Sequence, residues 1–552
     1  MQQRILDRMQ RRDLFVLPFL AAGASLPIAA ATRGAANAYD ITDFGAVADG
    51  KTLNTSAIQR AIDAAFQAGG GVVYVRPGTF LTGGIELKSR VTLYLEAGSM
   101  LLGSTRIEDY AIHDGPPVHS DANGYHLLYA RKAEDVAVCG LGALDGQGEA
   151  FWRKVHRAPI AEKDLWMDVA TYDYKPADGN LRPSPMVEFA ECRNVRLYGV
   201  TLRNSAGWTL RPVACETVVI EGIRIRNPIY GPNTDGIDIT ASRNVFVSNC
   251  DIATGDDAIC LKSENPYGDL LPTKNITITN CTLTTACNGF KIGTGTHGSF
   301  ENIVFSNSVI YNDAASRLNA RVIGGVCVEM VDGGSLDGVS VSNIRMQNVR
   351  TPIFVRLGRR TPQQGTFLRN VSLHGIDAEG AILTSSITGV PGLRATDVSL
   401  SDCRIRTVEA GLRSYAASGV PEVETAYPEA RMFGRLPAYG LYVRHADRVR
   451  MRNVELICDA AEQRPALVCD DVEDAIVDGL EAQATPEAPL IETHNTRRLF
   501  VARTRLHPEG KLLLAVGGAE AREIALAANA VRGDQKLVEY RDGAQAPEAG
   551  RP

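Results

Sequence analysis

Aromatic residues are scarce in this chain, since Phe, Trp and Tyr make up only 6% of its 552 residues. The 11 cysteines stand singly without a Cys-x-x-Cys pair, which excludes a zinc ribbon, and their odd number excludes a complete set of internal disulfides. Basic residues are not in excess, because 58 Lys and Arg accompany 64 Asp and Glu, so we expect no nucleic-acid partner. The 45% of hydrophobic residues suffices for a large core and excludes a disordered chain.

Long apolar runs are absent after the first 38 residues, so no later segment is expected to cross a membrane. Residues 1–38 are typical of a signal peptide of the twin-arginine type. Arg11 and Arg12 precede an apolar run from Leu14 to Ala31, and Ala36-Asn37-Ala38 is a small-x-small cleavage site. Proline and glycine interrupt the run and argue against a permanent anchor. We expect a periplasmic or extracellular protein without membrane contact after signal removal.

A short sequence motif repeats through the rest of the chain. It consists of a polar pair, a stretch in which apolar and polar residues alternate, an Asn or Gly, and a second alternating stretch. Its first apolar residues include positions 195, 218, 245, 276 and 303, which are 23, 27, 31 and 27 residues apart. Alternation with a period of two predicts short strands joined by turns. Each copy is too short to bury its own apolar face, so the copies must stack. Leucine-rich repeats are excluded because the Leu-x-x-Leu-x-Leu spacing is absent.

The repeats predict an all-β fold, a single parallel β-helix (a solenoid) over residues 39–540, with one copy per coil. Recurrent Asn-Cys pairs, such as Asn249-Cys250 and Asn280-Cys281, are expected to form ladders between coils. Residues 54–68 predict one amphipathic helix, capped by Asn54 or Thr55, that covers the open end of the stack. Loop insertions are expected at about 104–185 and 409–446, and a flexible tail at 541–552.

Two consecutive coils carry the segments Asn233-Thr-Asp-Gly-Ile-Asp-Ile and Gly255-Asp-Asp-Ala-Ile-Cys-Leu-Lys. Superimposing their apolar positions places Asp235 over Asp257, one coil away, with Asp256 beside them. Three carboxylates within ~5–10 Å must raise the pKa of at least one. A protonated acid beside ionised carboxylates is what glycoside hydrolysis requires. The alternatives are residues of turns or ladders, or calcium ligands.

These residues carry a resemblance. The two paired motifs, together with Leu144-Asp-Gly-Gln-Gly and Arg203-Asn-Ser through Trp208, resemble the signature of glycoside hydrolase family 28, the polygalacturonase family, from Tyr39 to about Asn348. The resemblance implies a right-handed β-helix and hydrolysis by inversion. It also implies that Asp256 is the general acid and that Asp235 and Asp257 activate water.

The chain departs from the family pattern at its third motif, Gly-His-Gly. Asn288 stands where the His is expected, and His297 follows nine residues later, outside the ladder register, so we interpret it as a loop residue. Asn288 can still hydrogen-bond a carboxylate or a sugar hydroxyl, but it carries no charge. Asn233, Asn288 and Arg356 are candidate substrate-binding residues, and Arg356 points either to the cleft or to a surface acid.

The fourth motif, Arg-x-Lys, grips a galacturonate carboxylate in the family, and here Cys327 and Glu329 replace both cations. Lys291 is predicted in the column of Cys327, and Lys262 in that of Glu329. Either these lysines restore the grip on the substrate in another subsite, or they pair with Glu329 and Asp238, which we favour. We therefore expect weak activity, or none, on unbranched polygalacturonate.

Two insertions add aromatic and basic side chains. Trp152, Trp166, Tyr172 and Tyr174 either stack on sugars beside the cleft or pack against the coils. The 409–446 insertion follows the Asp cluster by several coils, and we expect it to pack rather than to serve the site.

The predicted function is an exported, inverting and exo-acting glycoside hydrolase of a pectin-related poly- or oligosaccharide, a monomer without cofactor or metal. One alternative is a polysaccharide lyase of the same fold, with calcium and a basic residue. The other is a non-catalytic, glycan-binding β-helix, which would have no need to stack three carboxylates.

Overall fold

The protein is described by a computed structural model over residues 37–111, 123–313, 317–361, 365–417 and 419–546. The predicted signal peptide lies outside the described residues except for its last two positions. Of the predicted tail, residues 547–552 also lie outside them.

Three columns of parallel strands run along the molecule, and each coil contributes one strand to each column except at the two ends of the stack. The fold class is therefore confirmed as a parallel β-helix. We call the columns faces A, B and C, so that within a complete coil the chain passes from A to B and then to C. The functional residues lie on face A.

The strands of face A follow one another at one-coil intervals, each paired with the next in parallel, and between Ser385–Thr388 and Ile491–His494 the face is continued by parts of two longer strands, Leu441–Cys458 and Leu467–Asp478. They are Ile85–Glu86, Leu128–Arg131, Val187–Ala190, Leu210–Val213, Ile237–Thr240, Ile259–Lys262, Asn288–Ile292, Gly324–Met330, Thr351–Leu357, Ser385–Thr388, Ile491–His494, Leu512–Gly517 and Lys536–Arg541.

Faces B and C are built in the same way. The strands of face B alone are Ala38–Asp40, Gly71–Val75, Val91–Leu95, Glu134–Gly140, Arg193–Tyr198, Glu216–Glu221, Arg243–Ser248, Thr273–Thr279, Arg497–Ala502 and Arg522–Ala527. Those of face C alone are Asp49–Leu53, Gly78–Thr82, Ser99–Gly103, Ala143–Asp145, Thr201–Arg203, Arg224–Arg226, Asp251–Thr254, Thr282–Thr285 and Glu481–Ala482.

Longer strands bend from one face into the next without a break. Four of them pass from face B to face C: Ser299–Tyr311, Ser335–Gln347, Phe367–Ala381 and Ala395–Thr407. Leu467–Asp478 passes from face A to face B, and Leu441–Cys458 passes through all three faces.

The backbone at the corner between faces B and C explains why the repeated motif contains Asn or Gly. Asn249, Asn280 and Asn307 occupy this corner on successive coils with φ of 57°, 55° and 50°. Left-handed backbone is costly for most L-residues, and Asn and Gly tolerate it best. The buried residue that follows the corner points into the core, and Cys250 and Cys281 stack there on adjacent coils, which confirms the predicted ladder.

One face of the predicted N-terminal helix covers the open end of the stack, as expected. It spans Thr55–Gln67 and buries Ala57, Ile58, Ala61, Ile62 and Ala65. Asn54 is the N-cap residue, as one of the two predicted alternatives, but its side chain accepts from the Val47 amide at 2.7 Å rather than capping the helix. Thr55 is the first helical residue, and its Oγ1 accepts from the Gly83 amide at 2.7 Å.

The remaining elements belong to loops. A two-stranded antiparallel ribbon joins Trp152–Lys154 to Tyr174–Pro176. A short α-helix spans Ser414–Ala417, and 3-10 turns span Ile41–Phe44, Ile107–Asp109, Gly148–Phe151, Glu162–Met167, Ala170–Asp173, Asp178–Asn180 and Leu318–Ala320. Within the described ranges, no helix has the length and apolar character that a membrane span requires.

Candidate active site

Three carboxylates meet where two strands of face A begin. Ile237 pairs with Ile259 across adjacent coils, and the Gly236 amide donates to the Asp257 carbonyl at 2.9 Å. Asp235 therefore lies over Asp257 with the one-coil offset predicted from the sequence. Asp256 immediately precedes Asp257 on the same coil.

The polar and glycine residues of both motifs hold this turn together. Thr234 Oγ1 donates to the Gly231 carbonyl at 2.9 Å and accepts from the Gly255 amide at 3.1 Å, which joins the two coils. A Cβ at Gly255 would lie 2.4 Å from the Gly231 carbonyl oxygen, so only glycine fits. Asn233, with φ of 54°, accepts from buried Arg182 at 3.2 Å.

Asp257 is buried, and donors from the next coil occupy both of its oxygens. Asn288 donates to Oδ1 from its side chain at 2.7 Å and from its backbone at 3.2 Å. Lys291 Nζ lies 3.0 Å from Oδ2. Burial by itself opposes ionisation, but the Lys291 charge and these hydrogen bonds outweigh it and hold the pKa of Asp257 below its usual value.

The other two carboxyls, those of Asp235 and Asp256, have raised rather than lowered pKa values. Burial, followed by the charge of Asp257, raises the pKa of Asp256 to about 6. Burial and the charge of Asp256 raise the pKa of Asp235 well above its usual value, and its Oδ1 has no hydrogen-bond partner among the described residues. The cluster thus combines one anchored carboxylate with two carboxyls whose pKa values are raised, that of Asp256 to about 6.

Such an arrangement suits hydrolysis of a glycosidic bond. One protonated carboxyl donates to the leaving oxygen, and an ionised one removes a proton from water. The family model for glycosyl hydrolases family 28 matches residues 118–407, which is more than half of the chain. The chain belongs to glycoside hydrolase family 28.

Relatives of known name agree with this membership. The chain is 26% identical over 391 residues to a probable polygalacturonase of Vitis vinifera, covering 67% of this chain and 74% of the relative. It is 28% identical over 356 residues to an exo-poly-alpha-D-galacturonosidase of Dickeya chrysanthemi, covering 58% and 56%. Residues 38–126 match a second model, described as rhamnogalacturonase A/epimerase, pectate lyase-like.

A solved structure shares the fold of this family 28 hydrolase. The hyperthermoactive exopolygalacturonase from Thermotoga maritima superimposes with a TM-score of 0.57 at 24% identity. The match covers 77% of this chain and 92% of that enzyme.

The two lysines of this family 28 site lie in the predicted columns, but their partners differ from the prediction. Lys291 pairs with Cys327 in register and approaches Glu329 at 3.7 Å, as favoured, yet its nearest anion is Asp257. Lys262 Nζ donates to the Thr294 carbonyl at 3.4 Å and lies 5.0 Å from the ring centre of Trp208. Both oxygens of buried Asp238 lack a hydrogen-bond partner among the described residues.

The replacements of the fourth motif are also buried. Cys327 donates from its thiol to Asn288 Oδ1 at 3.3 Å and so completes the hydrogen bonding of that amide. Glu329 has no exposed surface, and burial raises its pKa to about 8. His297 lies in a loop after the strand Asn288–Ile292, as expected.

The prediction for Arg356 was wrong in both of its forms. Arg356 is 1% exposed, and its guanidinium donates to the carbonyls of Gly389 and Glu422, each at 2.8 Å, rather than to a surface acid or toward a cleft. A side chain on face A was expected to meet solvent, but the 409–446 insertion covers it.

This insertion packs against the coils, as expected, but it also returns to the site, which the prediction did not foresee. Tyr427 reaches back across two coils, and its hydroxyl lies 3.4 Å from Lys291 Nζ. Its side chain remains 55% exposed. Distance along the chain misled the prediction because a long loop spans several 4.8 Å coil spacings.

The predicted bounds of the first insertion, 104–185, were wrong, because residues 128–145 form one strand on each face of the β-helix. The loop that follows them, residues 146–185, contributes mainly packing. Trp152 is buried and donates to the Ala206 carbonyl at 2.7 Å, and Trp166 is buried against Ile382 and Leu383. Tyr174 stacks on Tyr230 with ring centres 4.9 Å apart. Tyr172 alone of the four is largely exposed, at 47%.

The two insertions join along one edge of face A, a contact that no sequence pattern indicated. Arg350 donates to the carbonyls of Trp166, Asp168 and Leu318, and Arg431 donates to the Tyr172 hydroxyl at 3.3 Å. These contacts form a wall beside the carboxylate cluster.

One group of donor atoms near the site has metal-like spacing. Asp256, Asp257 and Cys287 place one donor atom each within 4.8 Å of one another. The set suits calcium poorly, because a thiol replaces the required oxygen and protein donors already occupy both oxygens of Asp257.

Replacing Asp256 by Asn should abolish turnover without unfolding the protein. The amide has nearly the same shape but cannot deliver a proton, and loss of general acid catalysis lowers the rate by ~10²–10⁴. The measurement is release of reducing sugar from pectic substrates by the purified variant, with its thermal melt as the control for folding. Wild-type turnover by a folded Asp256→Asn protein would contradict the assignment.

Proposed function

We propose that this family 28 hydrolase is exported and cleaves pectin-related oligo- or polysaccharides from a chain end, with inversion at the anomeric carbon. Asp256 serves as general acid, and Asp235 with Asp257 activates the water. The observation that carries the end-acting mode is the loop of residues 420–429, which crosses face A just beyond the carboxylate cluster.

This crossing is held at three points. Arg356, on face A, donates to the Glu422 and Val423 carbonyls at 2.8 and 3.3 Å. At one edge the Arg359 amide donates to the Glu424 carbonyl at 2.8 Å. At the other edge, the Phe433 ring packs against the Phe354 ring, with ring centres 6.4 Å apart. A polysaccharide lying along face A cannot continue past this crossing loop.

The opposite side of the cluster is also covered. The segment after Lys262 folds back over earlier coils, and the Tyr267 hydroxyl donates to buried Glu188 at 2.6 Å. Tyr267 also lies 4.6 Å from the Arg131 guanidinium. The carboxylates therefore occupy a bounded site, which favours binding of a chain end over binding within a long chain.

Substrate charge supports a departure from simple polygalacturonate. Cys327 and Glu329 offer no cation at the fourth motif, and Lys291 is engaged by Asp257. A carboxylate on the sugar therefore lacks the paired cations that the family motif supplies.

The first product should carry the inverted anomeric configuration. A water molecule positioned by Asp235 and Asp257 attacks opposite to the leaving oxygen that Asp256 protonates. Proton NMR of the earliest product distinguishes the two anomers before mutarotation. Initial release of the retained anomer would indicate a glycosyl-enzyme intermediate and contradict the role proposed for Asp235.

On polygalacturonate or on a branched pectic glycan, the enzyme should release reducing ends with little loss of viscosity. Release from polygalacturonate should be the slower of the two. Shortening residues 421–428 to a glycine-serine link should increase the viscosity loss per bond cleaved, because it removes the loop that crosses face A. Tyr427→Ala is the matched control, because it keeps the loop that crosses face A. Rapid viscosity loss by the unaltered enzyme would overturn the end-acting mode.

Export should remove the first 38 residues and leave Tyr39 at the N-terminus. The support is the paired arginine and apolar run of the sequence. N-terminal sequencing of protein from the periplasm and culture fluid measures this directly, and Arg11→Lys/Arg12→Lys should retain the precursor inside the cell. Unchanged export of that double variant would contradict twin-arginine transport.

A further inference from the structure

Asp257 differs from the other two carboxylates in having both oxygens saturated by the protein itself. Asn288 supplies two neutral donors to Oδ1, and Lys291 supplies the single charged contact, at 3.0 Å from Oδ2. Asp256, in contrast, accepts at Oδ1 from the Asp257 amide at 2.9 Å. The cation of the cluster is thus directed at one carboxylate.

Lys291 is held where it is by the coil on its other side. Its Nζ lies 3.7 Å from Glu329 Oε2 and 3.4 Å from the Tyr427 hydroxyl, with the Tyr427 ring centre at 5.5 Å. The side chain is only 4% exposed. An ammonium enclosed by these groups is not available to bind a carboxylate on the substrate, which was the less favoured of the two roles that the sequence left open.

The groups that face Asp257 from all packed elements are mostly acidic or neutral. The carboxyls are Asp235, Asp238, Asp256 and Glu329; the cations are Lys262 and Lys291; the remaining titratable groups are Cys260, Cys287, Cys327 and Tyr427. Burial and neighbouring carboxylates would raise the pKa of Asp257 unless a cation were in contact with it. Lys262 contacts Thr294 instead, so Lys291 is the cation in contact.

We propose that Lys291 is a positioning residue that keeps Asp257 ionised and oriented beside Asp235 and Asp256. Together with Asn288 it takes the place of the histidine of the family motif: the amide fixes the geometry and the ammonium supplies the charge. The cation thereby serves the catalytic carboxylates rather than a uronic acid. This inference rests on the inverting mechanism proposed above.

The test is the pH dependence of kcat for Lys291→Met, which removes the charge and keeps the length of the side chain. Ionised Asp257 is required on the acid side, and loss of the ammonium raises the pKa of its carboxyl. The acid limb should therefore move to higher pH by about one to three pH units. At a pH within the shifted limb, kcat should fall at least about tenfold while KM changes little.

Lys262→Met is the matched control, since it removes an equally buried ammonium from the neighbouring coil that does not contact Asp257. Its acid limb should move less than that of Lys291→Met, and Lys291→Arg should recover part of the lost kcat. An unmoved acid limb in Lys291→Met, or an increase of KM with kcat intact, would overturn the inference and indicate structural support or substrate binding.

If Lys291→Met fails to fold, the unaltered enzyme still decides the matter. Carbon NMR of Asp side-chain carboxyls, assigned with Asp256→Asn and Asp257→Asn, should show Asp257 titrating below the usual range of an Asp carboxyl while Asp256 titrates near pH 6. Titration of Asp257 at or above that usual range would overturn the inference. The anomeric configuration of the product is measured independently, so failure of the inverting mechanism is distinguishable from failure of this role.

Discussion

The parallel register between coils on face A is the constraint on which the site depends. Each coil places its side chains directly over those of the coil before it, at the ~4.8 Å spacing of hydrogen-bonded strands. Two Asp residues at equivalent positions in successive coils are therefore forced into proximity, as Asp235 and Asp257 are. The backbone ladder, with its many hydrogen bonds, holds together like charges that would otherwise separate.

That proximity must be compensated, and the same register provides the means. Lys291, one coil further on, lies between Asp257 and Glu329 and neutralises the first. Burial then acts on the carboxyls that lack such a partner, so that their pKa values rise while that of Asp257 falls. Three chemically identical side chains thus differ in protonation because their neighbours differ.

Loops decide how a polysaccharide reaches these groups. Arg350 binds carbonyls of the first insertion, and Arg356 binds carbonyls of the second, so that buried arginines on the coils hold both insertions over face A. A guanidinium with several donors satisfies carbonyls that a loop leaves without backbone partners. The bounded site that results is the physical basis for proposing an end-acting enzyme.

The amino-acid sequence by itself determined the β-helix, the capping helix and the stacking of Asp235 over Asp257, because alternation and repeat spacing are local patterns that translate directly into register. It also placed Lys291 over Cys327. Only the tertiary structure decided that Lys291 faces Asp257, that Arg356 is buried, and that Tyr427 returns to the site. These outcomes depend on which direction a long side chain takes among several neighbours and on where an irregular insertion folds back. Neither is encoded in a periodic pattern, since both are set by packing between residues far apart in the chain.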